Sequence, residues 1–394
     1  MLTPLQKLSI RLTNTGFPYL PSLPIHWDSN DCQIKLKNKP QAIIPYAFTM
    51  SFVAVLALSS CYTVFSHSFL KPRTELHWNA GVFGIVLFMG INTIDAVYWI
   101  YVWSSDSTSL LGGINQLVQL KHRICTELGH RENESVLSKV AVTFVAILIP
   151  TPCSFILCCF LFDLDPFYFV LEDILPDPMY RSLNVTMLGW LIRIFLMSIS
   201  ACECMRTFAL LTTSGVITFI NLEQCLNLLI SASESLKYSL KRYPMVKIAL
   251  GMAINHVNKV NSALISLHFW TIITLFWLII RTVGKTPLMF YLIIVFFACT
   301  IPTMVLLYLK LCSDVNAKFE DGITKWKIIA WENLSRKEIS QERREARILF
   351  LVAKAGKSLP LTYHPFFKID NDLIVAFFVN IVDRLIDALL VFSV

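Results

Sequence analysis

The segment NDLIVAFFVNIVDRLIDALLVFSV, residues 371–394, is apolar over most of its length and long enough to cross a bilayer as a helix. It nevertheless carries Asp383, Arg384 and Asp387 near its middle. On a lipid-facing helix, three charged residues would cost about 8–10 kcal/mol, which apolar side chains at about 0.3–0.6 kcal/mol each would barely offset. We therefore predict a membrane span whose charged residues face protein or water.

Helical spacing places the polar residues of this segment on one stripe, because residues three or four apart share a helix face. Two interpretations fit the stripe. Arg384 forms a buried salt bridge that holds the helices together, or the stripe lines a water-filled path in which the acids favour cations. Two acids against one base favour the path, with Arg384 as the charge partner. The residues predicted to line it are Asn380, Asp383, Asp387, Leu390, Val391 and Val394.

The composition of the whole chain is that of a membrane protein. Of its 394 residues 55% are hydrophobic and 15% are charged, and a soluble domain would need a more polar surface. The first 41 residues contain no signal-peptide pattern. We predict an all-α fold with seven spans, at about 42–66, 81–103, 140–162, 185–210, 263–283, 287–309 and 373–394.

Basic residues are distributed unevenly between the connecting segments. Of the 34 Lys and Arg, 26 fall before the first span, after the second and fourth, and between the sixth and seventh. The opposite set holds 5, and 3 lie within spans. Positive charge accumulates in the cytoplasm, so we predict a cytoplasmic N-terminus and an extracellular C-terminus, the reverse of a G-protein-coupled receptor.

The predicted cytoplasmic segments contain apolar stripes at helical spacing. They predict helices that extend the spans and pack against each other or against a neighbouring subunit. The stripes are Leu110, Leu111, Ile114, Leu117, Val118 and Leu128; Leu222, Leu226, Leu229 and Leu240; Met245, Ala249, Met252, His256 and Val260; and Phe319, Ile323, Trp326 and Ala330.

From about residue 318 onward the chain resembles the arthropod gustatory and odorant receptor superfamily, specifically the gustatory receptors. The matching residues are Arg343, Arg344 and Arg347 before an apolar helix, the run Pro365-Phe366-Phe367-Lys368-Ile369-Asp370, and the pair Leu373-Ile374. The family then closes on Thr-Tyr, five residues and Gln-Phe. This chain departs from that pattern, since it has Asp383-Arg384 and Leu390-Val391 there.

The resemblance implies a chemosensory, gustatory-type receptor in the plasma membrane of a chemosensory neuron. Such receptors are homo- or heterotetrameric ligand-gated non-selective cation channels for small-molecule tastants. With the predicted spans, the resemblance implies four parts of the chain. They are a cytoplasmic N-terminal segment (1–41), six spans with a ligand pocket in their outer halves (42–312), a cytoplasmic anchor helix (313–372) and the pore-lining span (373–394). Leu390 or Val391 would then form a hydrophobic gate.

Polar and aromatic residues in other spans are candidates for the pocket. Asp95 and Arg193 lie roughly 21 and 13 Å from the outer face at 1.5 Å per residue, close enough for the long Arg side chain to reach. They form either a structural pair or part of a ligand pocket, with Tyr98 and Trp190 as aromatic walls. We further expect an intrahelical Glu203–Arg206 pair, a packing role for His268, and a kink in the third span at Pro150 and Pro152.

Three other classes of function fit the sequence less well. A G-protein-coupled chemoreceptor is the first alternative and requires the opposite orientation. A transporter is less favoured because no inverted repeat is recognisable. No nucleophile–base or metal-ligand spacing points to an enzyme, and we expect no cofactor, metal or nucleic-acid partner.

Overall fold

The computed structural model describes residues 2–21, 23, 25–28, 33–36, 40–66, 80–130, 134–161, 164–174, 183–231, 236–284, 288–336, 340–355, 362–364 and 367–391. Within these residues the chain forms eleven helices. They are α1 (Pro4–Thr15), α2 (Pro40–Phe65), α3 (Ala80–Leu128), α4 (Val136–Leu148), α5 (Thr151–Leu161), α6 (Pro166–Ile174), α7 (Leu183–Ser231), α8 (Leu236–Thr282), α9 (Leu288–Arg336), α10 (Ser340–Ala355) and α11 (Asn371–Val391).

Two short antiparallel hairpins complete the described structure. Strands β1 (Ile25–Asp28) and β2 (Gln33–Leu36) pair with Ile25 opposite Leu36, and β3 (Thr362–His364) pairs with β4 (Phe367–Lys368). The side chain of Asn115 on α3 bonds both the N–H and the C=O of Ile34, at 2.8 and 2.9 Å. These two hydrogen bonds attach the N-terminal hairpin to the helical body.

Four helices are much longer than a bilayer requires. Helices α3, α7 and α9 have 49 residues each and α8 has 47. At 1.5 Å per residue they extend roughly 70 Å, against about 30 Å of hydrocarbon. The span in each of these four helices therefore continues as a helix beyond the membrane, as the amphipathic stripes indicated. We call these four extensions together the anchor.

Five helical stretches of the described chain are long and apolar enough to cross a membrane. They lie at Ile43–Phe65, Val136–Ile174, Met187–Ser231, Val257–Thr282 and Leu288–Ser335. The described apolar part of α3, Val82–Tyr98, is shorter, and α11 carries three charges within its apolar length. The chain is a multi-pass, all-α membrane protein.

The third predicted span is broken into two helices at its prolines. Helix α4 ends at Leu148 and α5 begins at Thr151, with Pro150 between them. Proline has no N–H to donate to the preceding turn, and its ring clashes with the backbone there. The kink predicted from Pro150 and Pro152 is confirmed.

Two large apolar cores follow one another along the helices, and the first extends from the anchor into the spans, where it includes Ile272, Ile273 and Ile381. One fills the anchor, where it contains Leu117, Leu222, Leu250 and Phe319 from α3, α7, α8 and α9. The other contains Val86, Phe155, Met197 and Phe290 from the membrane parts of α3, α5, α7 and α9. The predicted stripes of α3, α7 and α9, and Leu240 of α8, are buried in the anchor core, except that Leu128 at the end of α3 is half-buried against it.

The stripe predicted for residues 245–260 is wrong at two of its described positions. Ala249 is buried as predicted, but Met245 and Met252 are exposed, and the other buried residues lie one position further along, at Val246, Leu250, Ala253 and Val257. The spacing of threes and fours fits more than one face where apolar residues are this frequent. His256 and Val260 lie in α8, but their side chains are outside the described part of the structure.

Contacts at the anchor determine where α11 begins. Asn316 on α9 donates to the Ile369 carbonyl at 2.9 Å, and Lys368 pairs with Glu320 at 2.6 Å. Asp370 accepts a hydrogen bond from the Leu373 N–H at 2.9 Å, which caps the helix. The Ile-Asp pair of the family resemblance thus has a physical role, because Ile369 is buried in the anchor core and Asp370 starts α11.

Candidate ligand cavity and permeation helix

Helix α11 has three distinct faces. One is buried against α8 and α9 through Ile374, Phe377 and Ile381, and the Phe377 ring lies 5.8 Å from that of Phe269. A second, apolar face is exposed and contains Val375, Val382 and Ile386. The third, exposed and polar, is the predicted stripe.

The polar stripe is open rather than packed within the subunit. Asn380 donates to the Ala376 carbonyl of its own helix at 2.8 Å, and Arg384 Nη1 donates to Asp387 Oδ2 at 3.0 Å. The side chains of Arg384 and Asp387 are 61% and 60% exposed, and Asp383 is exposed beside them. A buried salt bridge inside one subunit is therefore wrong.

Leu390, the first of the two predicted gate residues, is 67% exposed at the far end of α11. Val391 ends the helix, and its side chain is outside the described part of the structure, as is Val394 as a whole. The pore-lining role of the stripe remains a prediction.

An arginine from α8 contacts the last turn of α11. Arg281 Nη2 donates to the Leu389 carbonyl at 3.3 Å. The last four carbonyls of a helix have no partner within the helix, and a cation there also interacts favourably with the helix dipole. Arg281 therefore attaches the end of α11 that carries Leu390 to the membrane part of α8.

A cavity of about 150 Å³ lies where the two cores meet. Helices α2, α3, α4, α5, α7, α8 and α9 contribute to its wall, which is apolar over most of its area. Phe88, Phe155, Met197 and Phe297 come from the membrane core, and Leu211 and Val305 come from the anchor core. The cavity lies level with the middle and the anchor-side half of the spans, whereas the resemblance placed a pocket in their outer halves.

None of the four predicted pocket residues lines this cavity. The predicted Asp95–Arg193 pair is wrong, because Arg193 binds Asp165 and Asp95 faces His268. Tyr98 is half-buried and packs against the anchor core, and Trp190 is 45% exposed. Depths estimated from the sequence did not determine which way the side chains point.

Arg193 lies in an aromatic cage on the far side of the cavity from the anchor. Its guanidinium is 5.3, 4.9 and 5.6 Å from the ring centres of Phe160, Tyr168 and Trp190. It also binds both oxygens of Asp165, with the shortest contact at 2.5 Å, and both side chains are buried. This cage holds α6, which Asp165 precedes, against α7.

The predicted Glu203–Arg206 pair is confirmed. Arg206 Nη2 donates to both carboxylate oxygens at 2.7 and 2.6 Å, and both side chains are buried. Arg206 also donates to the Pro21 carbonyl and lies 5.6 Å from the ring of Tyr46. The pair joins the N-terminal segment to α2 and α7.

His268 was expected to be a packing residue. In the structure it packs against its neighbours and also lines the cavity. Its ring is buried, lines the cavity, and lies 6.1 Å from that of Phe208. Its Nδ1 is 3.5 Å from Asp95 Oδ2. A histidine within an otherwise apolar span was the sequence signal for this wall of the cavity, but periodicity did not show which side it faces.

Comparisons with known proteins bear on the fold. No family model matches the chain, and no curated protein matches its sequence. Among solved structures, it is similar to the insect olfactory receptor OR5 from Machilis hrabei, with a TM-score of 0.54, 13% identity, and 98% of this chain and 97% of that chain covered. The same receptor in complex with eugenol gives a TM-score of 0.57 and 12% identity, with 97% of both chains covered. The chain shares its fold, over almost its whole length, with an insect olfactory receptor.

Proposed function

We propose that this protein is a chemosensory receptor of the gustatory type that works as a ligand-gated, non-selective cation channel in the plasma membrane. The observation that carries the proposal is the likeness in fold to an insect olfactory receptor, which extends over 97–98% of the chain. The resemblance of the C-terminal segment to gustatory receptors supports the same class of function.

The permeation path is assigned to the polar stripe of α11 in a homo- or heterotetramer. Asn380, Asp383 and Asp387 are exposed in the single subunit, although they lie in a helix that the resemblance places in the membrane. In lipid, such a stripe would be costly, and in a water-filled path it would attract cations. Four copies of α11 around one axis would keep the stripe out of lipid and would expose it to a water-filled path.

The ligand site is assigned to the cavity between the two cores. A mainly apolar cavity of about 150 Å³ takes a molecule of about the size of benzene. The neighbouring fold was solved with eugenol, a small aromatic molecule, bound to that receptor. Small, mainly apolar molecules are accordingly the ligand class proposed for this chain.

Binding at the cavity would be transmitted to α11 through α8. His268 on α8 lines the cavity, and Arg281 on the same helix bonds the Leu389 carbonyl beside Leu390. A small displacement of α8 would therefore move the end of α11 that carries the proposed hydrophobic gate. The coupling is a contiguous path of two helices and one hydrogen bond.

Reconstitution tests the proposal. The purified chain is placed in liposomes, and membrane current is recorded while a panel of small aromatic and aliphatic volatiles is applied. We expect a cation current that at least one member of the panel evokes and that its removal abolishes. If no member of a broad panel evokes current from protein shown to be folded and inserted, the channel assignment fails.

A further inference from the structure

The wall of the cavity is incomplete between α4 and α9. Helix α4 packs on α1, α5 and α7, and α9 packs on α7, α8, α10 and α11, but α4 and α9, both described in full, do not pack closely against each other. Both nevertheless line the cavity, through residues such as Leu137 and Phe144 on α4 and Met304 on α9. The space between the two helices is therefore a cleft that leads into the cavity from the side of the subunit.

Residues at the edges of this cleft are exposed and also belong to the cavity wall. Val140 on α4 is 36% exposed, Phe296 on α9 is 38% exposed, and Thr300 is exposed one turn further along α9. Leu307 continues the same line of α9, since it lies about three turns from Phe296. This edge extends about 16 Å at 1.5 Å per residue, which is long enough for a single-ring molecule to pass.

Aromatic rings close the cleft at its outer end. The ring of Phe297 on α9 lies 6.1 Å from that of Phe155 on α5 and 5.5 Å from that of Phe88 on α3. The break at Pro150 separates α5, which reaches α9 in this way, from α4, which instead packs on α1 and α7. The opening is therefore confined to the middle and the anchor-side half of the spans.

The cleft lies at the depth of the bilayer hydrocarbon. Both helices belong to stretches that are long and apolar enough to cross a membrane, and Val140, Phe296 and Thr300 fall within the predicted third and sixth spans. Helix α11 contacts a different face of α9, where Lys310 and Ser313 donate to its first residue at 3.2 and 3.4 Å. The opening is therefore on a side of α9 that does not meet the proposed permeation path.

Polar side chains of the cavity wall use their donors within their own helices. Thr300 donates to the Phe296 carbonyl at 2.7 Å, and Thr93 donates to the Met89 carbonyl at 2.8 Å. The wall therefore presents mainly methyl groups and aromatic rings to a ligand. Such a wall suits a molecule without polar groups, which is also the kind that concentrates in hydrocarbon, because its transfer out of water is favourable.

We propose that the cavity takes up its ligand from the bilayer hydrocarbon through the cleft between α4 and α9, and that the ligand class is small, hydrocarbon-like molecules that dissolve in the membrane. Val140, Phe296 and Thr300 form what we call the portal. This inference rests on the proposed function, since it takes the cavity as the ligand site. A molecule of this class reaches the site at its concentration in the bilayer and needs no opening to water.

Narrowing the portal tests the route. Fluorobenzene is the probe, and its rates of binding and release are measured by ¹⁹F exchange NMR on the full chain in lipid nanodiscs. Thr300→Trp and Val140→Trp place a large ring at the two edges of the cleft. We expect both rates to fall at least about tenfold, the change that about 1.4 kcal/mol in the barrier produces. The dissociation constant should change much less, because the two rates fall together.

Substitutions beside the portal are the matched controls. Thr303→Trp and Thr143→Trp add the same ring at exposed positions of α9 and α4 that do not line the cavity, and they should leave exchange at the wild-type rate. Phe296→Ala removes a ring from the portal and should accelerate exchange. Unchanged exchange in the portal variants, equal slowing by the controls, or no binding of fluorobenzene to the wild-type protein would overturn the inference.

The added tryptophans also report what covers the portal. Their fluorescence is taken as the increase over the wild-type protein, which has 9 tryptophans. It should be quenched by phospholipids brominated on the acyl chains and not by iodide in the water. Quenching by iodide would show an aqueous entrance, and quenching by neither would show that a neighbouring subunit covers the cleft. Either result would overturn the inference.

The exchange measurement also separates this inference from the proposed function. Failure of the channel assignment appears as absent current in liposomes and leaves the effect of the portal variants on exchange intact. Failure of the inferred route appears as exchange that these variants do not slow, even where ligands evoke current.

Discussion

Single charged residues in this protein differ chiefly in what surrounds them. Arg193 and Asp165 are 3% and 0% exposed and enclosed by aromatic rings, whereas Arg384 and Asp387 are 61% and 60% exposed on α11. A buried ion pair becomes costly when one partner is lost, because the other charge stays desolvated. The first pair therefore has a structural role, and the second is free to meet water or another subunit.

Loss of Arg193 should destabilise the fold. Arg193→Met leaves Asp165 buried without its cation, so we expect the free energy of unfolding in detergent to fall by about 3–5 kcal/mol. Glu320→Gln breaks the exposed pair with Lys368 and serves as the control, with an expected loss below about 1 kcal/mol. Equal losses for the two variants would show that the buried Arg193–Asp165 pair stabilises the fold no more than an exposed pair does.

Neutralising Asp387 should change permeation without changing folding. Asp387→Asn removes one negative charge per subunit from the proposed path, so single-channel cation conductance should fall by at least about twofold. Asp321→Asn, at an exposed position of α9 in the anchor, is the control for charge removal elsewhere. If Asp387→Asn instead lost surface expression at normal conductance, the carboxylate would be a structural partner in the assembly.

Sequence spacing predicted the pairs that lie within one helix and missed those between helices. Glu203 and Arg206 are three residues apart, which places them on one face whatever else α7 contacts. In contrast, Arg193 pairs with Asp165, which lies before α6, and Asp95 on α3 lies beside His268 on α8. Which partner each charge finds depends on the rotation of each helix about its axis, and apolar periodicity alone leaves this rotation open in a chain that is 55% hydrophobic.

Two of the long helices, α3 and α8, pack closely at a glycine, which has no side chain to keep them apart. A Cβ at Gly113 of α3 would lie 2.7 Å from the Ala249 carbonyl oxygen and 3.1 Å from Ala253 Cβ, both on α8. A backbone oxygen cannot move aside as a flexible side chain can. The contact between α3 and α8 in the anchor therefore depends on the absence of a side chain at this position.

Two glycine substitutions in these helices should have opposite effects. Gly113→Ala should destabilise the protein by about 1–3 kcal/mol, because α3 and α8 must separate. Gly251→Ala meets nothing within 4 Å and should stabilise it by about 0.5–1 kcal/mol through helix propensity. Thermal unfolding of both variants in detergent measures the difference. The same sign for both would contradict the close approach of the two helices.

The helical extensions could be predicted from sequence more fully than their packing. Stripes such as Leu222, Leu226 and Leu229 are buried as predicted, because leucines at threes and fours in a polar segment define one face. Around Met252 apolar residues occur on neighbouring faces, and the predicted stripe was displaced. The cavity could not be predicted, since seven helices contribute to its wall.

In the whole molecule, the extensions of α3, α7, α8 and α9 lie at one end of the bundle, where the anchor core is. In the sequence, the segments predicted to be cytoplasmic, which include these extensions, hold 26 of the 34 Lys and Arg. We therefore predict from the positive-inside rule that the anchor faces the cytoplasm. The start of α11 is attached there and its last turn lies at the opposite end.

Topology can be measured directly. A small epitope tag placed after Val394 should bind antibody on intact cells, whereas a tag at the N-terminus should be detected only after permeabilisation. The matched pair of tags controls for expression and access. Labelling in the reverse pattern would refute the orientation and return a G-protein-coupled receptor to consideration.

If α11 lines a cation path opened by a ligand, a water-soluble reagent should reach its polar face while current flows, and thiol accessibility measures this. Asp387→Cys protein in liposomes is exposed to a cationic methanethiosulfonate reagent while ligand-evoked current is measured. Val382→Cys, on the exposed apolar face about 140° around the helix, and the wild-type protein with its native cysteines are the controls. We predict rapid loss of current in Asp387→Cys and unchanged current in both controls. Unchanged current in Asp387→Cys, with modification of that cysteine verified by mass spectrometry, would contradict the account.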